Sequence, residues 1–225
     1  MDPDVSIIMP LWKSNKDLLN KISKAIDDQD YDGDIEIIKI DNGWGLAKSI
    51  NYGISISKHS IIVSLHQDAI PTSNTWLSSL IKPFEDPSVV ASVSDVIDME
   101  TNKVYTPLMD EKGCAYRKDS LNSVGCFDEK IFLNSGEDMD LYIKLKKIGK
   151  IVYPHSAVIH DHPGYLSASG YKKRQNANTN ECLLRVHGTS FPGWWKGIIL
   201  ANIFNPSYWY WFWRGFILKK EDFKR

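Results

Sequence analysis

With 225 residues, 43% of them apolar and 24% charged, the chain has the length and composition of one soluble globular domain, which excludes the disordered and fibrous classes. A net charge of -1 hides an asymmetry: residues 172–225 hold ten Lys/Arg against three Asp/Glu, so the body before them is acidic. The three cysteines, Cys114, Cys126 and Cys182, show no C-x-x-C spacing, which excludes a disulfide framework and a structural zinc site and fits a reducing compartment.

The opening MDPDVSIIMP has two acids and only a short apolar run, unlike a signal peptide, so a cytoplasmic protein is expected. Its β-branched residues, closed by Pro10, predict a first strand over 5–9. Leu18, Leu19, Ile22 and Ile26 are then spaced for a helix over 15–29. Residues 35–40 read as a second strand, 45–57 as a helix with Leu46, Ile50 and Ile54 on one face, and 60–65 as a third strand. Such β-α-β-α-β alternation with continuously apolar strands predicts an α/β fold, a mostly parallel central sheet with helices on both faces. Ligands then belong at the carboxyl ends of the strands. A helix over 74–85 and a strand over 89–93 follow, after which 95–107 turns irregular and polar. Residues 137–148 read as a helix stopped by Gly149, with strand-like pieces at 151–153 and 157–159.

The C-terminal segment follows a different logic. Seventeen uncharged residues separate Lys196 from Arg214, at the lower limit for a membrane span, and Asn202, Asn205, Pro206 and Ser207 break them near the middle. Two interfacial segments fit better, with Trp194, Trp195, Trp209, Trp211 and Trp213 at headgroup depth and Lys196, Arg214, Lys219 and Lys220 outward. The expectation is a domain over 1–190 and a tail over 191–225 that makes peripheral contact with the inner face of a membrane. The competing reading gives these aromatics to a core or subunit contact. Nucleic acid is not expected, because aromatic and aliphatic clusters interrupt the basic residues and no helix-turn-helix or zinc-finger spacing accompanies them.

Four places carry candidate chemistry. His66-Gln67-Asp68 follows the third strand, where Asp68 offers a hard oxygen to a magnesium or manganese ion bridging a diphosphate, or else begins a turn ahead of Pro71. Asp41-Asn42-Gly43 ends the second strand, as a nucleoside contact or an ordinary turn. Glu137 and Asp138 open a helix, where a partly shielded carboxylate suits a general base, while Ser135-x-x-Asp138 also spells a capping box. His160-Asp161-His162 offers imidazoles to a metal or lies as surface histidines in a loop.

In order along the chain, these pieces resemble family 2 of the inverting glycosyltransferases, with the GT-A, Rossmann-like fold, over about residues 4–190. Ser6-Ile7-Ile8-Met9-Pro10 resembles that family's opening strand, Ile37 to Gly43 its nucleotide-binding second strand, and Gly45-Leu46-Ala47-Lys48-x-x-Asn51-x-Gly53 the following helix. Leu65-His66-Gln67-Asp68 stands at the D-x-D metal motif, with His66 in place of the first Asp. Gly125 to Glu129 and Gly136-Glu137-Asp138-Met139-Asp140-Leu141 resemble the acceptor-side stretch ending in the E-D motif.

The resemblance implies transfer of a sugar from a nucleoside-diphosphate donor to an acceptor hydroxyl on a glycan or lipid-linked glycan. It implies Asp138 as base with Glu137 beside it, donor contacts at Pro10, Trp12, Asp41, Asn42, Lys48 and Gln67, and Mg2+ or Mn2+ held by Asp68 with His66 and His160. The His66-Gln67-Asp68 spelling and Tyr171-x-x-Arg174 resemble rhamnosyltransferase-type members. Two rival readings are an inactive sugar-nucleotide or glycan-binding module, to which His66 points, and a sugar nucleotidyltransferase, whose phosphate loop Pro10-Leu11-Trp12-Lys13 does not match.

Overall fold

The computed structural model describes residues 2–132, 136–161 and 187. In chain order its strands are β1 (Val5–Pro10), β2 (Ile35–Ile40), β3 (Ile61–Ser64), β4 (Ala69–Pro71), β5 (Val89–Val93), β6 (Asp95–Asp98), β7 (Val104–Tyr105), β8 (Cys114–Arg117), β9 (Lys150–Val152) and β10 (Ala157–His160). The helices are α1 (Lys16–Asp27), α2 (Leu46–Ile56), α3 (Trp76–Ile81), α4 (Lys118–Ser123) and α5 (Glu137–Leu145).

Six strands form the central sheet in the order β2-β1-β3-β8-β5-β9. Parallel pairing joins β1 to β2 and to β3, and β5 to β9; β8 runs antiparallel between β3 and β5. Side chains alternate across a strand, and both faces of β1 are apolar. Val5, Ile7 and Met9 pack with Ile22 and Ile26 of α1 and with Trp76, Leu77 and Leu80 of α3. Ile8 packs with Ile50 and Ile54 of α2, Leu121 of α4 and Leu141 and Leu145 of α5. Burying one such Ile or Leu is worth about 1.5–3 kcal/mol, so the continuous apolar strands are what draw helices onto both faces. A second sheet, β4-β10-β6-β7, adjoins the first.

Local chemistry explains where the elements depart from expectation. Residues 95–107 are not irregular but contain β6 and β7. Their acids are buried and satisfied by hydroxyls, Thr106 Oγ1 donating to Asp95 at 2.5 Å and Thr101 Oγ1 to Asp98 at 2.6 Å, so polarity there does not mark a loop. The helix expected over 74–85 is α3 followed by a 3-10 turn over Lys82–Glu85, where Pro83 lacks the amide that an α-helix requires. α5 closes at Leu145, and its last amides, those of Lys147 and Ile148, bond three residues back. β4, β8 and α4 were not expected. Cys-Ala-Tyr-Arg has no β-branched residue, and β8 forms because β3 and β5 offer it an edge on each side.

Candidate active site

The carboxyl ends of β1 and β3 and the loop after β2 enclose a cleft of about 510 Å³, lined among others by Pro10, Trp12, Trp44, His66, Gln67 and Asp68. One clamp sets its shape. The Trp12 amide donates to Gln67 Oε1 at 2.8 Å, and Gln67 Nε2 donates to the Trp12 carbonyl at 2.7 Å. On the opposite wall Asn42 Oδ1 accepts from the Trp44 amide at 3.0 Å and from Ser49 Oγ at 3.3 Å, the turn that an Asx residue makes with its own backbone. Gln67 and Asn42, both expected to touch the donor, thus use their amides to build the walls. Asp41 and Lys48 are exposed and stand outside the lining residues. Lys48 lies over the Trp44 ring, its ammonium 4.3 Å from the centroid.

At the floor of the cleft the two sheets meet. β10 pairs antiparallel with β4, His160 opposite Ala69, and the Asp161 amide donates to the Asp68 carbonyl at 2.8 Å. That register sets His160 Nε2 3.4 Å from Asp68 Oδ2, while His66 Nδ1 lies 3.9 Å from Asp68 Oδ1. Burial, with the Lys112 charge adding to it, pushes His66 down to about 4, so its imidazole is neutral at pH 7 and keeps a nitrogen lone pair. Among the described residues no group of three or more His, Cys, Asp or Glu forms a ready-made metal cage. A cation bridging a diphosphate needs only one or two protein ligands, because the phosphates supply the rest. Asp68 with a neighbouring imidazole fits that requirement. His162 lies outside the described residues.

The acid pair sits at the start of α5. Gly136 takes φ 95°, a left-handed conformation that favours glycine, and so begins the helix directly at Glu137. Gly136 contributes no side-chain cap; Ser135, of the expected capping box, lies outside the described residues. Asp138 Oδ1 accepts from the Met139 amide at 2.7 Å. Burial, then the charge of Asp138, pushes Glu137 up to about 8; burial, then the charge of Asp110, pushes Asp138 up to about 6. The two titrate as a pair, which holds part of a proton at neutral pH.

Between floor and helix runs a charged loop that sequence reading missed. Lys112 Nζ clasps both oxygens of Asp110, at 2.9 and 2.8 Å, and Ser64 Oγ at the end of β3 donates to the Glu111 carbonyl at 2.9 Å. Burial favours the neutral acid in Asp110, but the charges of Lys112 and His66 outweigh it and lower its pKa. Burial, then the charge of Asp138, raises Glu111. Asp110 and Lys112 act on His66 at the floor and on Asp138 at the helix alike. One charged pair therefore lies within electrostatic reach of both. The available signal was a run of three charges directly before the apolar Gly113-Cys114-Ala115-Tyr116. A second missed contact is that of His187, whose Nε2 lies 2.7 Å from Oδ1 of Asp140, a fully buried residue of α5.

An open α/β sheet with acids and imidazoles gathered at its strand ends is the GT-A arrangement of glycosyltransferases. The family model described as glycosyl transferase family 2 matches residues 13–137, more than half of the chain, and the chain belongs to that family. It is accordingly a glycosyltransferase. No curated protein sequence matches it.

Solved structures share the fold at low identity. A mannosyltransferase, PcManGT from Pyrobaculum calidifontis, solved with GDP-Man and Mn2+, has TM-score 0.63 and 14% identity over 96% of this chain and 73% of that one. GalNAc-T7, solved with UDP, GalNAc and Mn2+, has TM-score 0.58 and 13% identity over 90% of this chain and 55% of its own. S. aureus TarS 1-349 has TM-score 0.56 and 13% identity over 80% and 65%. This chain thus spans from about half to about three quarters of the length of these structures.

Proposed function

We propose that the chain is an inverting glycosyltransferase that binds a nucleoside-diphosphate sugar in the cleft and passes the sugar to a hydroxyl of a glycan or lipid-linked glycan. The observation that carries this reading is the cleft at the carboxyl ends of β1 and β3, at whose floor the Asp68 carboxylate faces His160 Nε2 at 3.4 Å. Asp138 takes the acceptor hydroxyl's proton, the acceptor oxygen bonds to the anomeric carbon from the face opposite the diphosphate, and the diphosphate leaves with the electrons of the broken bond. A carboxylate raised to about 6 is a stronger base than a free one and is still ionised at neutral pH. Glu137, buried behind it, shares the pair's proton.

Asp68, with His160 and His66, would hold Mg2+ or Mn2+, a choice supported by the Mn2+ present in two solved structures of the same fold. Such an ion supplies charge stabilisation to the departing diphosphate. Pro10 and Trp12 line the donor side. The His66-Gln67-Asp68 spelling supports a deoxyhexose donor of the rhamnosyl type; Tyr171 and Arg174 lie outside the described residues.

The test is Asp138→Asn, which keeps the shape and removes the basicity. Transfer should fall roughly a hundredfold to ten-thousandfold while nucleotide binding stays near wild type. In the wild-type enzyme the rate should rise with pH through about 6, as Asp138 loses its proton. Near-normal turnover in the variant would leave Asp138 as part of the helix start only.

The tail over 191–225 lies outside the described residues, among which no helix is long and apolar enough to cross a membrane. Its clustered Trp and Lys/Arg support peripheral attachment to an anionic bilayer, each basic residue near the surface adding about 1 kcal/mol. Full-length protein should sediment with anionic liposomes at low salt, and a chain ending at residue 190 should not. Full-length protein left in the supernatant would assign the aromatics to a protein interior instead.

A further inference from the structure

The cleft has two indole walls, and the second is held in place. Trp44 is 41% exposed and Trp12 59%, although both line the cleft. An exposed Trp ordinarily samples several rotamers, but Trp44 is fixed from two sides. Tyr52, two turns along α2, meets it edge to face with centroids 5.5 Å apart and planes at 85°, and Lys48 lies over the ring at 4.3 Å. Both partners belong to the same helix, so the ring is oriented before anything binds. Such contacts are each worth about 0.5–1.5 kcal/mol, and nothing in the core depends on them. A large apolar ring kept rigid at the mouth of a polar cleft suits a flat aromatic ligand.

Two of the polar side chains around it are engaged elsewhere. Gln67 spends its amide on the Trp12 backbone, Asn42 Oδ1 is taken by Trp44 and Ser49, and Asp41 stands outside the lining. Reading the edge of a base needs side-chain donors and acceptors in defined places, whereas stacking tolerates any base because every base has a π-face.

Building on the donor site proposed above, we propose that Trp44 is a donor-binding residue, the stacking wall of the nucleobase subsite in the cleft it shares with Trp12. The donor's base is held there by stacking area rather than by hydrogen bonds to its edge. Nucleotides of different bases then bind within about tenfold of one another, purines more tightly than pyrimidines.

Calorimetric titration of the full chain with ADP, GDP, UDP, CDP and base-free pyrophosphate, all with magnesium, tests this. Trp44→Ala should weaken every nucleoside diphosphate roughly 5- to 100-fold, the range expected of one base–aromatic stack. Pyrophosphate binding should be unchanged, and Trp44→Phe should restore most of the loss. Trp44 is half exposed, so folding should survive, and a far-ultraviolet spectrum checks this. If wild type binds the nucleotides and Trp44→Ala binds them equally well, the stacking wall is wrong while the donor site stands. If one base is preferred by far more than tenfold and Asp41→Asn abolishes the preference, the base is read at its edge and the inference also fails. If neither pyrophosphate nor any nucleotide binds wild type, the donor site itself falls and the stacking wall with it.

Discussion

Asp68 is the residue on which the floor of the cleft depends, because its carboxylate faces two imidazoles and its carbonyl accepts the Asp161 amide that pairs β10 with β4. Only the carboxylate is chemically replaceable; the backbone bond survives substitution. Asp68→Ala should therefore leave the sheets joined but weaken Mn2+ and nucleoside-diphosphate binding together, as expected when one ion bridges protein and diphosphate. Titration of each ligand in the presence and absence of the other measures that dependence. Loss of nucleotide affinity with no change in its response to Mn2+ would detach Asp68 from the metal. His66 contributes no charge at neutral pH, so the carboxylate charge acting at this floor is that of Asp68 and Asp110.

The close approach of α2 to β1 is a tight demand at the level of elements. A Cβ built on Gly53 would lie 2.5 Å from Ile8 Cγ2, and Ile8 is fully buried with a stiff, β-branched side chain. Ala ordinarily gains about 1 kcal/mol over Gly inside a helix, but overpacking a filled core costs about 1–3 kcal/mol. The clash should win, so Gly53→Ala should lower the denaturant midpoint; an increase would mean that α2 can ride outward on β1.

The same helix shows how far the sequence could be read. Apolar period alone located β1, α1, β2, α2 and β3, because each carries an apolar face, and their alternation implied the parallel half of the sheet and the strand ends where the cleft lies. β8 has no such signature, since its pairing comes from neighbours distant in sequence. Gln67 was legible as a cleft residue but not as a builder of its wall, because a side-chain amide bonded to a backbone 55 residues away leaves no local trace, whereas the turn at Asn42 is local and was among the sequence's alternatives. The Asp110–Lys112 loop escaped because a charged triplet ordinarily reads as solvated surface, and here both Glu111 and Lys112 are buried.

Two buried titrations bound the stability of the whole molecule from opposite sides. Glu137 holds its proton up to about 8 when folded, against 4.5 as a free side chain. As pH rises from about 4.5 to 8 the unfolded chain loses that proton first, so stability present at lower pH is lost. His66 behaves in reverse: with 4 folded against 6.5 free, the unfolded chain gains a proton first as pH falls, and stability is lost from 6.5 toward 4. Thermal melts from pH 4 to 9 should therefore peak in the mildly acidic range. Glu137→Gln should flatten the alkaline decline by on the order of a few kcal/mol. An unchanged alkaline limb in that variant would mean that Glu137 is solvated in the folded protein.

β8 also fixes an order of events during synthesis. β3 is wholly apolar except for Ser64, and its second edge is covered only when residues 114–117 arrive. On a ribosome adding about 5–20 residues per second, that edge has no β8 to cover it for some seconds after β3 has been made. The nascent chain is thus exposed to strand-to-strand association in that interval.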